Sequence, residues 1–283
     1  MMKILFRRYL SGEINEDYLL EHLKFDTLDQ LHRLLLEMYE VNEEGLRKVL
    51  LFWIDALERI PEGPADKIDI AVYNNYYVRD IKSLQNTGSL YDYKTQEIIE
   101  VFLNFKVMQK ILERLDEISK DSSDCGAEDL FGYTVEHGYV IGLGLHEFGL
   151  RSIKEIDGLQ FLTRLRELNL AGNLIEKIEG LETLVNLEGL SLGDGNRWAG
   201  NQISKIEGLD TLTKLASLDL SFNHITKLEG LAHLENLEYL DLMYNQITEI
   251  EGLESLKKLE EINLKENPVD RTRWEEKLYE GRK

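Results

Sequence analysis

The sequence predicts an α/β solenoid built on a parallel sheet, preceded by an all-α helical domain. Two observations carry this. A string of the form Ile/Leu-Glu/Asp-Gly-Leu returns five times in the second half, and before residue 120 the apolar residues follow the helical period. A third observation bounds the answer: 283 residues with 43% hydrophobic and 30% charged side chains can bury a core and stay soluble. The expected organisation is a helical domain over 1–120, an acidic linker and hairpin cap over 121–137, and a repeat domain over 138–283.

The chain opens with Lys3, Arg7 and Arg8 interrupting its apolar residues, so it lacks the clean apolar run of a signal peptide. Asp26 is expected to cap a helix carrying Leu28, Leu31, Leu35 and Met38 on one side. Asn42 followed by Glu43 and Glu44 starts a second, which buries Leu46, Val49, Leu50, Trp53 and Leu57. Pro61 and Pro64 break the chain between helices. A third helix is expected over about 65–84, and a fourth over about 93–119 through Ile98, Phe102, Phe105, Met108, Leu112 and Leu115. Tyr73, Tyr76, Tyr77, Tyr91 and Tyr93 read as partly buried helix packing, with a binding surface as the alternative. Residues 120–129 form the acidic stretch and hold Cys125.

In the repeats, the leucine that closes each string falls at 159, 181, 209, 231 and 253, giving steps of 22, 28, 22 and 22. From Leu209, leucines follow every third residue to Leu218, then comes Leu220. The Leu218-x-Leu220 alternation places both side chains on one face of a short strand. Asn173, Asn201, Asn223, Asn245 and Asn267 recur where the strand must turn, so their amides are expected to bond the backbone of the neighbouring coil. The Leu-x-x-Leu-x-x-Leu segment returns the chain at nearly helical spacing. The Glu of each Glu-Gly-Leu is expected to accept backbone N–H groups at the start of that return.

These residues resemble the leucine-rich repeats, in particular the short 22-residue class with the Ile-x-x-Ile-Glu-Gly-Leu signature. That class occurs in the leucine-rich regulatory subunit of type-1 protein phosphatase. The resemblance covers roughly half the chain and implies a horseshoe with a parallel sheet on its concave face. Gly138 to Leu145 reads as a degenerate first strand with Phe148 in the asparagine position, and Tyr133 to Gly138 as a hairpin arm over the sheet edge. From Leu143 to Leu168 is 25 residues, three more than the repeat length. A polar capping helix from Arg271 to Tyr279, around Trp274 and Leu278, is expected after Asn267-Pro268. Six coils would make a sheet about 29 Å across.

Little in the chain points to catalysis. The six histidines have no zinc-helix spacing, one cysteine cannot build a thiolate site, and Gly142-x-Gly144-x-x-Glu147 fails the dinucleotide fingerprint. No enzyme, metal or cofactor is expected. The net charge of −20 divides as −11 up to about His137 and −9 after it, so no basic patch invites nucleic acid or an anionic membrane. One cysteine and no long apolar run fit a cytoplasmic protein.

In a solenoid of the resembled kind the residues between and just after the strand leucines line the concave face. Here that strip carries Glu167, Asp219, Asp241 and Glu261 against Lys265, with Tyr239 and Met243 in the fifth unit. The 28-residue step inserts six extra residues that include Arg197 and Trp198, residue types common in interface hot spots. Trp198, Tyr239, Met243 and Tyr244 are expected to form an apolar centre rimmed by Asp219 and Asp241, although Trp198 folding back over neighbouring leucines explains it equally well.

The expected function is a protein–protein interaction module, acting as adaptor, scaffold or regulatory subunit for a partner of basic and apolar character. Two alternatives stay open. The repeats could select substrate for a catalytic, GTPase-linked or ubiquitin-linked helical half, or the chain could be a self-assembling structural unit.

Overall fold

The computed structural model describes residues 2–15, 18–19, 22, 27–57, 93–121, 131–194 and 200–269. The chain divides into two compact units, Met1–Lys120 with Glu136–Tyr139, and Asp121–Val135 with Val140–Lys283.

Four helices are described in the first unit: α1 (Met2–Leu10), α2 (Leu28–Val41), α3 (Glu43–Leu57) and α4 (Thr95–Asp121). The cap of α2 is Thr27, one residue after the expected Asp26, and its hydroxyl accepts from Gln30 N at 3.3 Å. Thr27 is in extended backbone, the conformation from which a hydroxyl reaches back into the first turn. Asn42 serves two helices at once. Its N–H donates to Met38 O to end α2, and its side chain accepts from Gly45 N to start α3. Leu28, Leu31, Leu35, Met38, Leu46, Val49, Leu50, Ile98, Phe102, Phe105 and Met108 are all buried as their spacing predicts. Trp53 stacks on Phe102 with ring centroids 5.0 Å apart. Among the described residues no helix is long and apolar enough to cross a membrane.

The second unit holds a seven-stranded sheet in chain order: β1 (Phe131–Glu136), β2 (Tyr139–Leu145), β3 (Glu167–Asn169), β4 (Gly189–Ser191), β5 (Ser217–Asp219), β6 (Tyr239–Asp241) and β7 (Glu261–Asn263). From β2 to β7 every pairing is parallel. Register is kept through unequal steps: Leu143 pairs with Leu168, Leu190 with Leu218, and Leu218 with Leu240. The extra residues of the long steps therefore lie in loops, and the parallel-sheet solenoid is the one the repeats predict. The strand leucines are buried, as are those of the return segments apart from the half-buried Leu253.

Each return is a run of tight turns rather than an α-helix. Leu212 N bonds to Leu209 O and Leu215 N to Leu212 O, both at 3.0 Å, and the same pair recurs in the coils on either side. A leucine every third residue matches the three-residue turn, so one side faces the core throughout.

The asparagines form the expected ladder. Asn223 donates through Nδ2 to Leu192 O, Leu220 O and Ser221 O at 3.0–3.1 Å, and its Oδ1 accepts from Ile203 N at 2.9 Å. Asn173, Asn201, Asn245 and Asn267 repeat the pattern. Phe148 fills the corresponding place in the first coil and is buried.

The glycine of each Glu-Gly-Leu has a left-handed backbone, with φ between 69° and 86° from Gly158 to Gly252. A Cβ on Gly230 would strike the carbonyl oxygen of Ile206 in the preceding coil, so both conformation and clearance require glycine. Glu179 and Glu207, which precede two of these glycines, differ from expectation. Glu179 accepts from Lys154 Nζ at 2.6 Å and Ser152 Oγ at 3.1 Å, and Glu207 pairs with Lys177 at 3.4 Å. The Gly180 N–H goes to Glu182, and Glu179 faces side chains of the coil before it.

Several expected features lie outside the described residues: the helix over 65–84, Tyr73, Tyr76, Tyr77, Tyr91, Cys125, Arg197, Trp198 and the capping helix from Arg271 to Tyr279. The side chains of Leu57, Leu112 and Leu115 are outside them too.

Candidate protein-binding face

Strand residues on either side of each buried leucine point away from the core, and register stacks them in two rows. The first runs Gly142, Glu167, Gly189, Ser217, Tyr239, Glu261. The second runs Gly144, Asn169, Ser191, Asp219, Asp241, Asn263. Parallel pairing places like positions about 4.8 Å apart, so each row is a rigid line of side chains.

The second row stabilises itself. Asn169, Asp219, Asp241 and Asn263 each accept the backbone N–H two residues on, at 2.8–3.2 Å, closing a turn at the end of the strand. The remaining carboxylate oxygens bond to neighbouring side chains of both rows. Asp219 Oδ2 accepts from Ser191 Oγ, and Asp241 Oδ2 accepts from Tyr239 OH at 3.1 Å and Asn263 Nδ2 at 3.0 Å. Asp219 and Asp241 thus hold the strands of this face and its tyrosine. Burial, with the Asp241 carboxylate next in weight, pushes the Tyr239 hydroxyl up to about 12, so the neutral, donating phenol is locked in place.

Glu167 behaves differently. Its carboxylate lies over Gly189, in the space a Cβ there would occupy. Burial, followed by the charge of Glu188, raises its pKa above the usual carboxylate range. Glu261 is exposed at the far end of the first row, and Met243 is half-buried beside Asp241. Tyr244 is 43% exposed, has φ 52°, and packs on Phe222 with ring centroids 4.4 Å apart. The structure therefore places Tyr239 and Asp241 at alternate positions of β6, with Met243 and Tyr244 just beyond its end.

Sequence reasoning missed how the 28-residue step is tied down. Asp194 N donates to Ser221 Oγ at 3.2 Å, and a Cβ on Gly193 would strike the Asp219 carboxylate and the Ser221 hydroxyl. At the return, a Cβ on Gly200 would strike the Phe222 backbone. Both described ends of the insertion are thus packed against the coil that carries Asp219.

The first strands also enclose an open trough of about 640 Å³, lined by residues of β1 to β5. Its floor is made largely of Gly142, Gly144, Gly189, Ser191 and Ser217, and Glu167 and Asp219 stand on it. Among the described residues no group of His, Cys, Asp and Glu is arranged to hold a metal ion.

A model described as "Leucine rich repeat" matches residues 213–269, and one described as "Leucine Rich repeats (2 copies)" matches residues 185–233. Neither is a catalytic family. Similar solved structures include the functional domain of InlJ from Listeria monocytogenes, which includes a cysteine ladder, at 22% identity and TM-score 0.38 over 48% of this chain. Internalin C2 from Listeria monocytogenes is similar at 27% identity and TM-score 0.36 over 46% of this chain. A leucine-rich repeat protein of Leptospira interrogans is similar at 26% identity and TM-score 0.43 over 50%. This chain covers 28%, 64% and 35% of those three chains respectively, under two thirds of each. No curated protein matches it. Residues 185–269 thus match leucine-rich repeats, which generally serve protein interaction, within the parallel-sheet solenoid.

Proposed function

We propose that this chain is an adaptor, scaffold or regulatory subunit that binds a protein partner on the concave face of its repeats. One observation carries the reading. Tyr239 is held by its own hydroxyl against Asp241, beside Met243, on a sheet whose strand ends are already closed by side chains. A rigid aromatic residue of this kind gives contact area with little loss of conformational freedom, as interface anchors do. The acids of the strip favour a partner of basic and apolar character, and the net charge of −20 argues against nucleic acid and anionic membranes. Arg197 and Trp198, residue types common in interface hot spots, stay candidates from the sequence alone, and a cytoplasmic setting suits the single cysteine. The resemblance of the repeat signature to the phosphatase regulatory subunit makes a phosphatase catalytic subunit a specific partner to try.

The test is quantitative affinity capture from native lysate, comparing the full chain with its Tyr239→Ala/Met243→Ala variant. Circular dichroism confirms that the variant is folded. Partners enriched by the wild type and lost by the variant are the expected result. An identical set of partners on both would refute Tyr239 and Met243 as the centre of the binding surface.

A further inference from the structure

The two ends of the concave face differ. Tyr239 and Met243 stand in the fifth coil, outside the trough, whose floor glycines lie among Thr134, His146, Glu167 and Asn169, with no side chain over Gly144. Such a floor lets a partner's backbone approach the sheet closely, which a floor of large side chains would prevent. A volume of about 640 Å³ suits a short piece of chain rather than a folded face.

The charge of the trough is one-sided. Its lining residues include Glu167 and Asp219 but neither lysine nor arginine. Asp219 has both oxygens bonded within the row. Glu167 has no hydrogen-bond or ion-pair partner among the described residues, and Glu188 adds a second negative charge close to it. Like charges gathered on a partly desolvated surface attract a cation from outside.

We infer that the trough receives an extended segment of a partner protein, its backbone over Gly144 and a lysine or arginine seated at Glu167 and Glu188. This rests on the concave face being the protein-binding surface and adds the shape and charge of what enters it.

Selection of a displayed random decapeptide library on the full chain tests the inference. The selected peptides should carry one or two lysines or arginines among small residues. Fluorescence anisotropy of a selected peptide should show about tenfold weaker binding to Glu167→Gln, as loss of one close charge pair implies. Binding should vanish in Gly144→Leu. Gly144 tolerates a side chain, because its backbone is not left-handed and a Cβ there meets only the Gly132 backbone at 3.6 Å. Circular dichroism checks that both variants fold. Failure to enrich any peptide, enrichment without cations, or full binding to Gly144→Leu would each overturn the inference. If lysate partners are lost with Tyr239→Ala/Met243→Ala but kept with Gly144→Leu and Glu167→Gln, the trough is refuted and the concave face stands. If peptide binding follows Gly144→Leu while lysate capture ignores the Tyr239 pair, the trough stands and the aromatic site falls.

Discussion

Replacing Asn223 with alanine should remove about 3–5 kcal/mol of stability from the repeat unit, through buried groups left unpaired. Asn223 is 4% exposed; its two amide hydrogens are shared among three carbonyls and its Oδ1 accepts one N–H. Alanine keeps none of these bonds. The Ile203 N–H loses the Asn223 acceptor, and an unsatisfied buried donor costs about 1–3 kcal/mol. The Leu192 carbonyl, one coil away, loses a donor at a similar cost. The Leu220 and Ser221 carbonyls belong to the same turn and can shift, so they add less. The same change at Asn267 removes equivalent bonds, but that residue is half-buried and water can replace the amide, so about 1 kcal/mol is expected there. Urea unfolding followed by circular dichroism measures both variants. A total stability of about 5–15 kcal/mol leaves room to see the difference. Equal losses for the two variants, or less than about 1 kcal/mol for Asn223→Ala, would refute the claim that the buried amide latches one coil to the next.

Three further outcomes follow from the geometry. Gly230→Ala must both adopt a left-handed backbone and displace the Ile206 carbonyl, so it should destabilise by about 2 kcal/mol or more; Gly149→Ala, with φ 67° and open space around its Cβ position, should lose only about 1 kcal/mol. Thermal melts of the two variants rank them. In an ultraviolet tyrosinate titration one step should appear near pH 12, vanish in Tyr239→Phe and move down in Asp241→Asn. Because the folded pKa of Tyr239 lies above the ordinary value of about 10, its contribution to stability is complete below that pH and is lost as pH rises towards 12. Chemical unfolding in that window should therefore weaken more steeply for wild type than for Tyr239→Phe. Lys154→Ala removes an exposed pair with Glu179 and should leave the melting temperature unchanged at physiological salt, which a clear fall would contradict.

The asparagine ladder was legible because five amides recur in register at a turn, where only a side chain with both donor and acceptor can satisfy the backbone. The return segments were legible in spacing but not in kind, since a leucine every third residue is close to a helical pattern until hydrogen bonds select the tighter turn. Other features depend on the coil next door and leave no local mark. The need for glycine at 230 comes from the Ile206 carbonyl, and the Lys154–Glu179 pair exists only once coils stack. Asp219 and Asp241 read as rim acids in the sequence. Their bonds to the N–H groups of Ser221 and Met243 appear only when the strand ends are in place. The cap of α2 moved from Asp26 to Thr27 because two adjacent residues can both cap, and backbone conformation chooses between them.

Because each ladder amide is fastened into the coil before it, tension applied at the C-terminal end should peel the solenoid one coil at a time. Register spaces the strands by 22, 22, 28, 22 and 25 residues in that direction. Released chain extends by about 3.4 Å per residue, so most steps should lengthen the tether by about 75 Å, the third by about 95 Å and the fifth by about 85 Å. Unequal coils thus give the molecule a length code, in which the insertion carrying Arg197 and Trp198 announces its own release.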